Sequence, residues 1–485
     1  MRLRIIALTF ALLMSVGRLG WAQGAAPTLE DRLAALERRV EQLEQENRDL
    51  RTQVAGVLPA RGAPVEIAST TPVPAAPPPA PAEAKASDRF QIGGQIRYRA
   101  QVRQNNDLNS ALPDVQDFIG QRIRFDIRAK LSDQVETFVQ FQDSRLWGQE
   151  QSTTSNDNLI DLHQAYVQVN DFAAPGVNLR VGRQEMSYGS DRLIGRGNWD
   201  NVGRSFDALK MGYASKKVQL DWFAAKVIDR RSTGRGDRDQ YLYGMYNQFF
   251  REKPQHLDVY AIHFRDGLRA TGEITAAGRK ATEIMTVGLR SEGAIHPGIN
   301  YDIEFADQFG HRGFDPHSAR AFAGKVYKTL EEKHEFRLGF EYDVATGDSD
   351  SKDGRSGEFF NLFPTNHQHY GYMDLFGWRN MQDFRPMFTV KPVKALKFDI
   401  DYHRFYLLES RGAWKNAGGA VLGFDATGES GKFVGDEVDF TAAFPIHKHL
   451  KILSGYGLFF PGEFAQKTRG SDTQHFFYLQ TTVDF

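Results

Sequence analysis

From Arg89 to Phe485 the chain repeats one pattern, in which apolar and charged residues alternate over stretches of strand length. Ile92, Gly94, Ile96, Tyr98, Ala100 and Val102 interleave with Gln95, Arg97, Arg99, Gln101 and Arg103. Ile123, Phe125, Ile127, Ala129 and Leu131 do the same with Arg122, Arg124, Asp126, Arg128 and Lys130. Phe336, Leu338, Phe340 and Tyr342 run against Glu335, Arg337, Glu341 and Asp343, and Phe398, Ile400 and Tyr402 against Lys397, Asp399, Asp401 and His403. A period of two sends successive side chains to opposite faces of a sheet, so each segment has one apolar and one charged face. A soluble β-sandwich explains the alternation but not a charged face on nearly every strand.

The connections narrow the choice further. Short ones recur around 131–133, 215–217, 252–254, 296–298, 330–332 and 447–449. Between them fall long polar ones at 104–117, 147–158, 188–203, 230–239, 266–280, 310–317, 347–378, 409–432 and 461–472. A membrane barrel with short periplasmic turns and long outer loops has this rhythm. Counting segments predicts an all-β transmembrane antiparallel barrel of about 18 strands over 89–485, wide enough for an aqueous lumen. The last segment, with Phe477, Leu479, Thr481, Val483 and Phe485 on one parity, ends on its terminal aromatic. That ending resembles the recognition signal of outer-membrane barrels, which must close because no backbone group can stay unpaired in hydrocarbon.

Composition excludes other classes. Lys+Arg 60 against Asp+Glu 61 gives no support to a nucleic-acid binder. A mean hydropathy of -0.48 rules out a helical membrane bundle. Cys 0 excludes disulfides, thiolate metal sites and cysteine nucleophiles.

The residues before the barrel read as three pieces. Residues 1–22 carry Arg2 and Arg4, an apolar stretch from Ile5 to Val16 and a Gly20-Trp21-Ala22 cleavage site, the pattern of a removable secretory signal. Residues 28–57 step by four and three through Leu29, Leu33, Leu36, Val40, Leu43, Asn47, Leu50, Val54 and Val57, a heptad seam that predicts a periplasmic coiled coil. Asn47 at an a position fixes register, and Arg32–Glu37, Arg39–Glu44 and Glu46–Arg51 are oppositely charged g–e pairs. Homo-oligomerisation would therefore run through Leu36, Val40, Leu43, Asn47 and Leu50, with dimer and trimer both open. Residues 58–88 form a Pro/Ala-rich spacer. A coiled coil on such a spacer could also tether the barrel to the cell wall.

Two segments are more specific than the fold. One is Gly182-Arg183-Gln184-Glu185 with Tyr188-Gly189, Arg192-Leu193-Ile194-Gly195, Trp199 and Arg204-Ser205-Phe206-Asp207. The other is Phe363-Pro364-Thr365-Asn366-His367 followed by Gly371-Tyr372-Met373-Asp374-Leu375-Phe376-Gly377-Trp378-Arg379-Asn380. Both resemble the signature segments of the alginate-export family of outer-membrane porins. The resemblance covers roughly 89–485 and implies a passive, arginine-rich conduit for an acidic polysaccharide.

The residues allow two readings of the lumen. Arg97, Arg99, Arg122, Arg124 and Arg128 share the polar faces of adjacent strands and can form a basic wall that selects anions. They can equally pair with interior acids and hold the barrel together. Arg183, Glu185, Arg192, Arg204, Asp207 and Arg379 are further conduit candidates, with 183–207 expected to fold inward as a constriction. Regular parity would send Arg183 and Glu185 toward lipid, so a bulge or a position above the membrane must intervene. Trp199 and Phe206 read as packing anchors for that loop. Asp348, Asp350 and Asp353 offer carboxylates for Ca²⁺ or simply a solvated acidic loop. No cofactor is otherwise implied, and no Gly-x-Ser-x-Gly or His-Glu-x-x-His pattern points to an enzyme. The expected partners are outer-membrane lipid and an anionic or saccharide solute.

Overall fold

The computed structural model describes residues 89–111, 114–150, 152–153, 160–229, 239–267 and 281–485. The signal, coiled-coil and spacer segments lie outside these. The strands are β1 (Phe90–Gln104), β2 (Gln116–Lys130), β3 (Val135–Leu146), β4 (Asp161–Val169), β5 (Val177–Gln184), β6 (Phe206–Ala214) and β7 (Val218–Ile228). There follow β8 (Gln240–Phe249), β9 (Gln255–Asp266), β10 (Thr282–His296), β11 (Ile299–Arg312), β12 (Asp315–Glu331), β13 (Phe336–Ala345), β14 (Met381–Val393) and β15 (Leu396–Tyr406). A small hairpin of β16 (Trp414–Lys415) and β17 (Val421–Gly423) precedes β18 (Phe433–His447), β19 (Leu450–Pro461), helix α1 (Glu463–Thr468) and β20 (Gln474–Asp484).

All but β16 and β17 belong to one 18-stranded sheet whose neighbours pair antiparallel in chain order, and β20 returns to β1. Closure is completed at the chain end. The Phe485 N–H donates to the Gly94 carbonyl at 3.1 Å, and the Gly94 N–H to the Phe485 carbonyl at 3.0 Å. The Phe485 ring lies over Gly94, where a Cβ would come 2.5 Å from it and 2.4 Å from the Arg124 carbonyl oxygen.

The barrel is apolar outside and polar inside. On β1, Ile92 is 68% exposed while Arg97 is 3% and Arg99 5% exposed. Phe125, Phe141, Val181, Leu209, Trp222, Leu289, Phe340 and Phe440 are exposed in the same sense, forming the surface that meets lipid. No helix among the described residues is long and apolar enough to span a membrane. The strands do that work.

Short turns and long connections alternate as the sequence implies, with one correction. The expected long connection at 310–317 is a tight hairpin at Gly313-Phe314, since β11 and β12 stay paired up to Arg312↔Asp315. Gly313 supplies the left-handed φ of +62° that the turn needs. The polar residues His311, Arg312, Asp315 and His317 belong to strands, so local polarity does not mark a loop here. Two of the truly long connections, 185–205 and 346–380, fold into the lumen. Irregular backbone is tolerated at that depth only where protein groups satisfy it.

Candidate functional site

Arg97 and Arg122 are directly opposite each other in the β1–β2 register. Like charges so placed repel, and something must neutralise or solvate them. The partner is the loop 185–205. Arg97 donates from Nη1 to the Asn198 carbonyl at 2.6 Å and from Nη2 to the Asp200 carbonyl at 2.9 Å. Arg99 Nη1 reaches the Trp199 carbonyl at 2.5 Å, and Arg124 Nη2 the Val202 carbonyl at 3.1 Å. Arg122 leans on the Asn198 carbonyl at 3.3 Å and donates to Gln95 Oε1 at 2.7 Å. Among the described residues, Arg124 alone of these four has a carboxylate partner, Glu185 at 3.1 Å. Carbonyl dipoles, not carboxylates, hold Arg97, Arg99 and Arg122.

The segment so gripped is five residues long, 198–202, and is bounded by Gly197 (φ +56°) and Gly203 (φ +80°). Its apex, Trp199, stacks on His367 with ring centroids 3.6 Å apart, meets Tyr372 and Tyr478 edge-on, and lies 3.9 Å beneath the Arg99 guanidinium. Asn201 Nδ2 donates to the Gln121 and Arg145 carbonyls at 3.0 and 3.2 Å. Burial and the Asp374 charge push the Asp200 carboxyl above its ordinary range.

The base of the loop is rooted elsewhere. Arg204 Nη1 donates to the carbonyls of Gly195 (2.8 Å), Phe363 (2.5 Å) and Pro364 (2.9 Å). Ile194 bridges Phe363, and Phe206 meets the Phe363 ring edge-on at 5.5 Å. The two segments singled out in the sequence are thus one structural unit, a plug built from two loops. Arg192 anchors it to the far wall through Glu341 and Asp343 (3.4 Å), and within the plug it donates to the Tyr370 hydroxyl (2.8 Å). Burial and the Arg192 charge hold His369 well below its usual value.

That far wall is acidic. Glu341 and Asp401 take Arg385 at 3.1 and 2.9 Å, while Glu437 and Asp439 accept the backbone N–H groups of Met373 (2.9 Å) and Tyr372 (3.0 Å). The β1–β2 arginines thus meet plug carbonyls and the β18 carboxylates meet plug N–H groups, while Arg385 on the acidic wall also donates to the Gln368 and His369 carbonyls at 3.2 and 3.3 Å. Arg103 crosses this division by donating to the Met373 carbonyl at 2.7 Å. Beneath the plug, on the short-turn side, a cavity of about 480 Å³ is lined by Gln95, Arg97, Arg122, Asn198, Gln480 and Thr482 and extends to Asp484. A second, of about 600 Å³, lies against Tyr372, Arg385, Lys397, Asp399 and Asp401.

The other expected site residues are scattered. Arg128 pairs with Glu136 at 3.1 Å below the plug. Arg183 and Asp207 do not line the conduit. They pair with each other at 3.4 Å on the outer face, on the parity of Val181 and Leu209. Glu185 does turn inward, because the chain leaves β5 at Gln184 and the alternation ends there. Burial would raise its carboxyl, but the His163 hydrogen bond and the Arg124 charge bring it below the usual range. Arg379 packs beside Gly419 in the outer loops. Asp348, Asp350 and Asp353 do not converge on a cation. Each accepts a backbone N–H two residues on, from Asp350, Lys352 and Arg355, which makes them turn caps. No group among the described residues is arranged to hold a metal ion. Glu437 and Asp439 were not singled out as site residues, although their inward parity on β18 is visible once the barrel is assumed. Gly197 and Gly203 carry no separate sequence signal.

The solved structures that this barrel resembles include Pseudomonas aeruginosa OccK11 (OpdR), at 12% identity and TM-score 0.55, covering 82% of this chain and 96% of that one. Pseudomonas aeruginosa OccK8 (OprE) matches at 13% identity and TM-score 0.53 over 82% and 98% of the two chains. The outer membrane protein OprD from Pseudomonas aeruginosa matches at 9% and 0.51 over 81% and 94%. At these identities the likeness is one of fold. No curated protein sequence matches the chain. The sequence profile of the alginate export family matches residues 88–479, nearly the whole barrel, and the protein belongs to that family.

Proposed function

We propose that this outer-membrane channel, passive and not an enzyme, conducts an anionic or polyhydroxylated saccharide, with uronate-rich chains of the alginate type foremost. Family membership supports the channel. The observation that carries the substrate class is the set of inward arginines, Arg97, Arg99 and Arg122, which form no ion pair among the described residues and of which Arg97 and Arg122 border a 480 Å³ cavity. Guanidinium groups take carboxylates with two-point geometry, and cation clusters in a pore favour anions. Purified protein in a planar bilayer should show anion-selective conductance that responds to uronate oligomers more than to neutral ones of equal length. Conductance without anion preference would overturn the proposal. A response that ignores oligomer length would instead mark a porin for small solutes.

The heptad seam at 28–57 favours a second role beside conduction, in which the barrels cluster or are tethered to the cell wall through their N-terminal segments. Deleting 23–88 should leave conductance unchanged while dispersing the oligomers or loosening envelope attachment. If neither changes, that role falls.

A further inference from the structure

We infer that the arginine wall is an anion site occupied by the protein's own flap, and that an anionic solute releases the flap by taking its place. The inference rests on the proposed conduction of acidic saccharides and adds how the passage is opened.

Three observations carry it. First, the flap's hold on the four arginines is made mainly of carbonyl oxygens. Those of Asn198, Trp199, Asp200 and Val202 fill the Arg97, Arg99, Arg122 and Arg124 donors. A carboxylate or sulfate offers the same donors a full negative charge, and hydrogen bonds between ionised partners are roughly twice as strong as neutral ones. Second, the flap is built to move as a unit. Gly197 and Gly203 bound it with left-handed φ values of +56° and +80°, conformations that glycine enters and leaves without steric cost. A Cβ at Gly203 would fall 2.7 Å from Arg124 Nη2, so close seating needs glycine there. The segments on either side are pinned by Arg192, Arg204 and the Ile194–Phe363 bridge. Bending is thus confined to the five residues between the glycines. Third, the wall can be reached without first moving the flap. The 480 Å³ cavity touches Arg97, Arg122 and Asn198 and opens toward Asp484, and the buried Nε atoms of both arginines have no hydrogen-bond partner. A solute arriving from the short-turn side meets Arg97 and Arg122 at the cavity wall beneath the flap, where one carboxylate can begin the exchange.

The sequence of events follows from these contacts. The anion engages Arg97 and Arg122, and the Asn198 and Asp200 carbonyls lose their donors, which leaves the flap held by Arg99, Arg124, the Asn201 contacts and the Trp199 stack on His367. Further anionic groups of the same chain then take Arg99 and Arg124.

The chain has no cysteine, so a latch can be installed alone. A Cβ at Gly120 would stand 3.4 Å from Asn201 Cγ, which puts Gly120→Cys and Asn201→Cys within reach of a disulfide. The double variant, otherwise full length, is placed in a planar bilayer and exposed to alginate oligomers before and after reductant is added to the same membrane. The reduced channel should show open probability rising with oligomer concentration to saturation, and the oxidised channel should lose that response. A second variant, Asn201→Ala, removes the flap's contacts to Gln121 and Arg145 and should lower the oligomer concentration needed. Equal responses from the oxidised and reduced channels would overturn the flap mechanism, as would pure current block in both, while leaving anion conduction standing. Absence of any anion preference in either form would sink the conduction reading itself.

Discussion

Arg99 donates to the carbonyl of Trp199 at 2.5 Å while its guanidinium lies 3.9 Å over the indole ring of the same residue. One side chain thus holds both the backbone and the ring of the flap's apex. The ring is sandwiched, because His367 stacks on it at 3.6 Å.

Trp199→Ala removes the stack and the cation–π contact and should weaken flap docking by about 1–3 kcal/mol. Single-channel records should show more frequent and larger current fluctuations, while the heat-dependent gel mobility that reports a folded barrel stays unchanged. Arg99→Lys, which keeps the charge but loses the planar fork, should produce the same fluctuations in milder form. Quiet wild-type-like records from both variants would refute the assignment.

Arg97 and Arg122 face each other across the β1–β2 ladder, so the field they create is concentrated at one height of the lumen. Arg97→Glu or Arg122→Glu should move reversal potentials in a salt gradient from anion toward cation preference. Arg183→Glu, on the outer face beside Asp207, should not move them. That contrast separates a local pore effect from a change in net charge.

The fold was legible because a period of two, combined with charge, survives any loop content. Arg97 and Ile96 could be sent to opposite faces without knowing what either touches. Arg183 shows where parity arguments work and Glu185 where they stop. Regular alternation, which the expectation of Arg183 in the conduit sets aside, places it outside as found, but two residues later the chain has left β5 and Glu185 turns in to Arg124. The plug was legible as two unusual segments but not as one object, since the Arg204 contact to Phe363 spans 159 positions and no local pattern announces it. The aspartates at 348, 350 and 353 stayed ambiguous for the opposite reason. Their spacing suits a cation, and also suits turns that cap their own backbone.

Asp200 gives the flap a pH dependence. Burial comes first among the causes of its raised value, followed by the Asp374 charge, while Arg204, Arg99 and His367 act in the other direction. A carboxyl whose value is raised in the docked flap holds its proton more tightly there than in a flap lifted into water. Docking is then strongest below the ordinary carboxylate range and weakens as pH climbs from that range through the raised value. Open probability should rise over this interval. His367 also faces the flap and pairs with Asp374 at 3.1 Å, so Asp200→Asn is the discriminating variant. It should flatten the carboxylate portion of the profile.

Arg192 is 4% exposed and sits among Glu341, Asp343 and Glu304. Arg192→Met leaves those carboxylates buried without their main counter-charge, a change that costs about 3–5 kcal/mol. The gel-mobility transition of the barrel should move to lower temperature. Adding Glu341→Gln should recover part of the loss, because one of the stranded charges is removed. If Arg192→Met alone left the transition in place, the network would have to be counted as lumen decoration with no anchoring role.

Closure of the barrel depends on a glycine and the terminal residue together. Gly94 and Phe485 exchange both backbone hydrogen bonds, at 3.0 and 3.1 Å, and the Phe485 ring occupies the space where a side chain at position 94 would stand. A Cβ there would approach the ring to 2.5 Å and the Arg124 carbonyl to 2.4 Å. The ring is the far end of a flexible side chain and can yield, but the carbonyl belongs to the β1–β2 ladder and cannot move without breaking it. Gly94→Val should therefore damage folding more than deletion of Phe485, which removes one pair of bonds and leaves the ten β1–β20 register pairs from Gln95↔Asp484 to Gln104↔His475 intact. In refolding trials into lipid vesicles, the yield of heat-modifiable barrel should rank wild type first, the Phe485 deletion second and Gly94→Val last. A deletion variant that refolds worse than Gly94→Val would mean that the terminal aromatic contributes more to closure than the strand pairing it extends.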